Sequence, residues 1–468
     1  MNLNIFDKQN RPPWQVLKFE ELLGKQKPIY FDVDDFEEII DYYFLKGQIK
    51  KTLRVVNYAT SMHKSSSGLM LKRAQVLAAS EKENKALDIL TRLESLEPSN
   101  PDISLTKGAI YSQMKQYKKA INEYNKAVDF TEDPDYVYCN IAFEYENMGD
   151  YDKTLEYLGK ALEINPDNDL AIYEAAYCFD LLNLNEESIS FFKNLINRHP
   201  YSIEAWFNLG ISYINTGLYE KSLEAFDYSL AIDDKHFASW YHKGYVYSLM
   251  ADYPKAISSY LQSIEEDEQD VMKFYNIGEC YEKMENYNQS ARYYRICLDK
   301  DDSFTEAWMG LGICDAETGN FKSALKNFKK GLSIEPDNTT CLCLIADTYM
   351  SCNMFSKAKD NFEKALEINP GDKNIWLDYA YACYTEGLIN KAVSLLFDAN
   401  KQYPDVPEIL YKLSFYLFTE GKNKEASYYL EEALLIDYEG HKKIIKDNPE
   451  IINNSTFIDL IELYKPVK

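Results

Sequence analysis

The sequence predicts an all-α solenoid built from helical hairpins in single file, and three observations carry that expectation. The strings ALEINPDN at 161–168 and ALEINPGD at 365–372 lie 204 residues apart, six times 34. Rows of 34 residues laid from Val33 run through twelve copies to Gly440 with no insertion or deletion. Within those rows, single columns keep one kind of residue at spacings that suit helices and not strands. Composition agrees. Gly and Pro number 18 and 15 in 468 residues, about 7% against an ordinary ~12%, so turn-formers are scarce.

Each column has a physical cause. Counting within a row, positions 4, 7, 8 and 11 recur at helical spacing and form one face of a first helix, helix A. Position 4 holds four of the five tryptophans, Trp206, Trp240, Trp308 and Trp376, the fifth being Trp14 outside the rows. Position 8 is Gly, Ala or Ser in every row except the first, which has Ile40. A small residue there lets a partner helix approach closely. Positions 20, 24 and 27 repeat the logic on helix B, with position 20 always Ala, Ser or Thr and position 24 always large and apolar. Gly or Asn near positions 15–17, as in Gly149-Asp150 and Gly319-Asn320, is expected to end helix A and turn the chain. Position 32 is Pro in six rows (Pro98, Pro166, Pro200, Pro336, Pro370, Pro404) and cannot continue helix B. One hairpin alone leaves half of its apolar face wet, and stacked neighbours cover it.

This pattern resembles the tetratricopeptide repeat, W-x2-L-G-x2-Y, then A-x3-F, then P. Residues 203–236 carry it with Trp206, Leu209, Gly210, Tyr213, Ser222 and Phe226. The resemblance extends to the cytosolic tetratricopeptide array proteins of bacteria. It implies a right-handed superhelical solenoid, with helix A lining the concave face through positions 2, 5, 6, 9, 12 and 13. The expected organisation is a lead-in segment at 1–32, twelve repeats at 33–440 and a C-terminal helical cap at 441–468. Within the lead-in, Gln15–Leu23 has the pattern of a short amphipathic helix. Within the cap, helices are expected at His441–Asp447 and Thr456–Tyr464, the second burying Ile458, Ile461 and Leu463. A partner-binding role for that second helix is the alternative.

Charge narrows the function. Lys and Arg number 51 against 75 Asp and Glu, a net charge of −24. Phosphate contacts need clustered basic residues, so neither nucleic acid nor an anionic membrane is an expected partner. Nine cysteines, an odd number with no C-x-x-C, are expected as reduced and mostly packed thiols of a cytoplasmic protein. The start MNLNIFDKQNRPPWQ lacks the basic and apolar regions of a secretory leader, and no apolar run reaches about 18 residues. The five histidines show no zinc-ligand spacing, and phosphate-loop, dinucleotide and nucleophile-elbow motifs are missing. No catalysis, cofactor or metal is expected.

Two columns break their rule in ways that bear on function. Position 11 is mostly Tyr but is Asp315 in row nine. A carboxylate facing the core needs a hydrogen bond, so Asp315 is expected to bind a Tyr hydroxyl or a backbone amide. Cys178, Cys280 and Cys314 share position 10, where packing explains a thiol better than redox chemistry does.

The candidate site is the groove that the resemblance assigns to helix A. Through rows four to eight it carries Phe143, Tyr173, Tyr177, Phe207, Tyr241, Tyr245 and Tyr275, with Asn140, Glu174, Asn208, His242 and Asn276 at position 6. An Asn every second row offers a donor and an acceptor to an extended backbone, and Tyr rings give large contact area at low entropic cost. Packing between neighbouring A helices is the alternative role for each ring. Groove positions over the twelve rows hold sixteen Asp or Glu and three Lys, so they are acidic, and Asp34, Glu37, Glu38 and Asp41 contribute four in row one. Only Lys72 and Lys412 are basic at position 6, which disfavours the family's Lys- and Arg-based capture of acidic chaperone tails. The expected function is a non-enzymatic scaffold, monomeric rather than homo-oligomeric, that binds an extended basic or apolar segment of a protein partner. A self-assembling structural protein and a regulatory subunit of a larger complex are the alternatives.

Overall fold

The computed structural model describes residues 12–24, 30–264 and 270–466, so the first eleven, on which the reading of the start rests, lie outside them. Each of the twelve rows carries two helices, from Val33–Leu45 with Ile49–Met62 in the first to Pro407–Thr419 with Asn423–Ile436 in the last. No strand occurs among the described residues. The chain forms two compact units, Met1–Lys235 and His236–Lys468. Within each unit, helix B of one repeat packs against helix A of the next.

The small column does what its spacing requires. A Cβ on Gly108, Gly210, Gly244, Gly278 or Gly312 would meet the position-24 ring of its own repeat at 2.4–2.7 Å. Those rings are Tyr124, Phe226, Tyr260, Tyr294 and Phe328, all buried. Position 8 is Ala opposite Leu90, Leu158 and Leu396 and Ser opposite Leu430, and Ala also faces Phe192 and Phe362. Row one inverts the pair, with Ile40 against Val56, so volume is exchanged across the hairpin and not simply minimised.

The turn after helix A is set by position 15, which is left-handed in all twelve rows. Six are Gly and two are Asn, but Glu81, Lys115, Ala251 and Glu285 adopt φ of 57–59° as well. In every row the position-16 N–H donates to the position-11 carbonyl, as in Asp150 to Tyr145 at 2.9 Å and Met354 to Tyr349 at 2.8 Å. This six-to-one closure satisfies orphan carbonyls of helix A and holds the left-handed residue in place. A side chain at that φ costs energy that glycine avoids, partly offset by glycine's greater freedom when unfolded. Ala251→Gly is therefore expected to stabilise repeat seven by about 0.5–1 kcal/mol, read as slower hydrogen exchange at Phe237–Leu249 and Tyr253–Ser263. Unchanged or faster exchange would contradict it.

Other columns stitch the hairpins together. The indole N–H of Trp206, Trp308 and Trp376 donates to the position-32 carbonyl of the preceding row (Pro200, Asp302, Pro370) at 2.8–2.9 Å. In eight of the twelve rows the preceding residue caps helix A, with Asp32, Ser66, Asn100, Asn168, Ser202, Asp270, Asn338 and Asp372 accepting backbone N–H groups. In six repeats a position-19 lysine sits over the position-11 tyrosine ring, from Lys51 over Tyr43 at 4.5 Å to Lys221 over Tyr213 at 5.9 Å. Repeat nine changes both partners at once. Ser323 replaces the lysine and donates to Asp315 at 2.6 Å, and Asn327 donates to the same carboxylate oxygen at 2.8 Å. The expected hydrogen bond exists, but its donors are a serine and an asparagine of helix B, not a tyrosine or the backbone.

The ends pack on the rows. Helix Trp14–Gly24 buries Val16 and Phe19 against Phe31, Phe36 and Ile39. Glu20 accepts from the Tyr43 hydroxyl at 2.9 Å and pairs with Lys51 at 2.8 Å. At the other end, helices His441–Asp447 and Ser455–Leu463 follow the last repeat. Ile461 is buried as expected, but Leu463 is 74% exposed, and Phe457, Leu460, Ile444 and Ile451 take the core positions. The helix meets the repeat through Phe457, whose ring lies edge-on to Phe418 at 6.1 Å.

All nine cysteines carry free thiols, seven of them buried. Burial pushes the thiols of Cys178 and Cys280 up to about 12, which keeps them protonated and unreactive. No helix among the described residues is long and apolar enough to cross a membrane.

Candidate functional site

Seven of the twelve predicted groove residues belong to the first unit and five to the second. In the first, Phe143, Tyr173 and Tyr177 are exposed at 55%, 66% and 46%. Rings are equally open elsewhere, as Tyr228 and Tyr428 on helix B at 56% each, and what sets these three apart is that they lie on the A helices of two successive repeats. Phe207 is half-buried, 5.9 Å from Phe226. Asn140 and Asn208 are half-buried, and the Asn208 amide donates to the Glu204 carbonyl of its own helix at 2.8 Å. Glu174 is also half-buried, and burial followed by the nearby Glu146 charge holds its carboxyl above the usual range.

Four of these residues share one cavity. Tyr173, Tyr177, Phe207 and Asn208 line a space of about 470 Å³ between helices Asp169–Leu181, Asn185–Arg198 and Ile203–Asn215. That volume falls within the ~300–1,000 Å³ of ordinary ligand pockets. The cavity exists because the two helices of repeat five touch far less closely than those of any other repeat. Ala176 faces the large Phe192, but Ala346 faces Phe362 in repeat ten, whose helices pack closely, so this pair alone does not open the hairpin. Phe179, Phe191 and Phe192 also crowd between the helices, with ring centres 5.3–6.3 Å apart. Ser188 and Ser212 lie on the cavity wall, both buried, with hydroxyl oxygens 2.7 Å apart. Asp169, Asp180, Glu204, Asn185 and Asn215 add further polar groups to the lining, which contains no lysine or arginine among the described residues. The helix-B wall of this cavity was not foreseen from the sequence. No single column signalled it, since the same pair recurs as Ala346 opposite Phe362 in repeat ten, whose helices pack closely.

The five residues of the second unit divide between exposure and packing. Tyr245 is 41% exposed. Tyr241 is half-buried against Tyr260 at 5.5 Å, and its hydroxyl accepts from the Asn276 amide of the next repeat at 3.0 Å. Tyr275 lies between Tyr294 at 5.7 Å and Phe304 at 5.3 Å, and burial followed by Glu279 pushes its hydroxyl up to about 12. Burial first, and His236 second, pushes His242 down to about 4, so it is neutral at pH 7. Tyr241 and Asn276 thus tie adjacent repeats together, while Tyr275 packs within repeat eight.

Groove carboxylates differ in strength. In row one, Asp41 is paired with Lys72 at 2.5 Å, which removes part of the negative charge expected there. Asp347 and Asp378 in rows ten and eleven contact solvent, yet the surrounding protein strips hydration from both. Asp347 is pushed up to about 6 by that loss and then by the Asp378 charge. Ionising Asp347 in the folded chain is therefore unfavourable, so its contribution to stability is full below about pH 4 and lost as pH rises through about 6. Among the described residues, no group of three or more His, Cys, Asp or Glu has a metal-binding arrangement.

Comparison with known proteins agrees with the repeat geometry. Tetratricopeptide repeat models match residues 136–168, 203–236, 275–338 and 354–414, and one matches both 101–134 and 237–270. A search of curated protein sequences gives no match. Among solved structures, the chain is similar to MamA at 18% identity, covering 35% of this chain and 95% of that one, with a TM-score of 0.33. It is also similar to YrrB, "a TPR protein with an unusual peptide-binding site", at 21% identity over 39% of this chain and 95% of that one (TM-score 0.34). The anaphase-promoting-complex hetero-tetramer Cut9–Hcn1 matches at 13% identity over 86% and 98%, with a TM-score of 0.41. The family models together span more than half of the sequence, and the chain belongs to the tetratricopeptide repeat family.

Proposed function

We propose that the chain is a non-enzymatic scaffold whose A-helix faces hold an extended basic or apolar segment of a protein partner. The reading covers an array at 33–440 between a lead-in and a cap, acting in the cytoplasm as a monomer, with no cofactor, nucleic acid or membrane involved. The observation that carries it is the set of exposed rings Phe143, Tyr173 and Tyr177 beside an open, acid-rimmed cavity. A ring needed only for packing is covered by its neighbours, as Tyr294 is at 1% exposure. Net charge supports the basic character of the partner, since an acidic concave surface concentrates cations.

One observation favours the alternative in which the groove is chiefly internal packing. Tyr241 and Asn276 already bond each other across repeats, and Tyr275 packs against Phe304 within its own. The two roles separate by substitution. Replacing Phe143, Tyr173 and Tyr177 by Ser should abolish recovery of partner proteins on the immobilised chain while leaving its melting temperature nearly unchanged. Replacing Tyr241 and Tyr275 by Ala should lower stability, by up to about 3–5 kcal/mol for each well-buried ring. Partner recovery should also fall between 0.1 and 1 M salt, over which the Debye length shrinks from about 10 to about 3 Å. Recovery unaffected by the triple substitution and by salt would sink the groove reading, and a chain that sizes as a stable oligomer would favour self-assembly.

A further inference from the structure

We infer that the cavity of repeat five is a socket for one long cationic side chain, arginine or lysine, carried by the bound segment. This rests on the groove reading and adds the side chain that the groove selects. The argument is an inventory of hydrogen-bonding groups. Ser212 Oγ donates to the Asn208 carbonyl at 2.8 Å, so the proton shared between the two serines comes from Ser188. With that proton spent, Ser188 offers the cavity only acceptor lone pairs. Asn208 commits an amide hydrogen to the Glu204 carbonyl, and Asn215 commits one to Asp180 at 3.4 Å. Ionised Asp169 and Asp180 on the lining can only accept. Asn185, the second amide hydrogens of Asn208 and Asn215 and the Tyr173 and Tyr177 hydroxyls are donors on the same wall, so what singles out a cation is the charge of Asp169 and Asp180 with no lysine or arginine lining the cavity.

Lysine and arginine are the side chains that donate and never accept. A carboxylate entering here would meet like charge, and a leucine or phenylalanine would cover acceptors without satisfying them. The rest of the lining suits a cation on a hydrocarbon stem. The exposed faces of Tyr173 and Tyr177 with Phe207 attract a cation through the ring quadrupole, and apolar walls pack the stem while the head reaches the carboxylates. The looseness of this one hairpin makes the socket specific to repeat five.

The test uses the full chain and a phage-displayed library of random twelve-residue peptides. Peptides enriched on the intact protein should share an arginine or lysine whose change to Gln weakens binding about tenfold or more, the scale of a lost charge-assisted contact. The same loss should follow from Asp169→Asn with Asp180→Asn, two exposed positions that leave the helices intact by circular dichroism. Ala176→Met, which fills the cavity, should act likewise. Peptides whose cationic residue tolerates Leu or Phe would overturn the socket. So would peptides indifferent to the Asp169→Asn, Asp180→Asn double variant. In either case the groove reading survives if Phe143→Ser or Tyr245→Ser abolishes binding. No enrichment at all would overturn both.

Discussion

Removing residues 441–468 is expected to unravel the last repeat and make the chain aggregate. Ile444, Ile451, Phe457, Leu460 and Ile461 are each at most 9% exposed and belong to one core with Leu413, Leu417, Leu430 and Leu434. Full burial of such a side chain is worth about 1.5–3 kcal/mol, an upper figure because the unfolded chain already hides some apolar surface. Polar ties add direction. The Tyr438 hydroxyl donates to the Ile461 carbonyl at 3.2 Å, and Lys443 pairs with Glu408 at 2.9 Å. In a solenoid each repeat is stabilised by its neighbours, so the loss is local and falls first on Pro407–Thr419 and Asn423–Ile436. Hydrogen exchange should show those two helices losing protection, with light scattering rising as the uncovered face meets other copies. A truncated chain that keeps both its protection and its solubility would reject the capping role.

The repeats were legible because helical spacing leaves a mark in sequence that survives twelve variations. Register, helix pairs and the small column all follow from residues that must be small, large or apolar wherever a hairpin closes. What the columns were for was less legible. The tryptophan column was plain, but its hydrogen bond ends on a backbone carbonyl, which any residue supplies. Position 15 was expected to be Gly or Asn, yet Glu81, Lys115, Ala251 and Glu285 hold the same left-handed turn because the six-to-one hydrogen bond outweighs the strain. The site was only half legible for a related reason. Position 5 serves packing and exposure alike, so Tyr173 at 66% exposure and Tyr275 wedged beside Phe304 look the same in sequence. The cavity depends on how far one hairpin opens, a distance that no single column encodes.

The largest single-residue effect is expected at the small column, and repeat eight tests it most sharply. A Cβ on Gly278 would sit 2.7 Å from the Tyr294 ring, closer than carbon atoms can approach. The ring cannot swing aside, because Tyr294 is 1% exposed and its hydroxyl donates to Glu282 at 2.8 Å. Gly278→Ala gains up to about 1 kcal/mol in helix propensity, but overpacking costs roughly 1–3 kcal/mol, so net destabilisation is expected, and more with Val. The repeats themselves suggest the rescue. Ala74 with Leu90, Ala142 with Leu158 and Ala380 with Leu396 all pack at full burial of the leucine. Combining Gly278→Ala with Tyr294→Leu should therefore restore much of what the first change alone removes. The single change Tyr294→Leu should itself destabilise, by opening space beside Gly278 and leaving Glu282 without its hydroxyl donor. Urea unfolding of the four chains completes the cycle, with a favourable coupling of about 1–3 kcal/mol expected for residues in direct contact. Additive effects would mean that the two positions do not exchange volume, and that the glycines of this column serve the backbone alone.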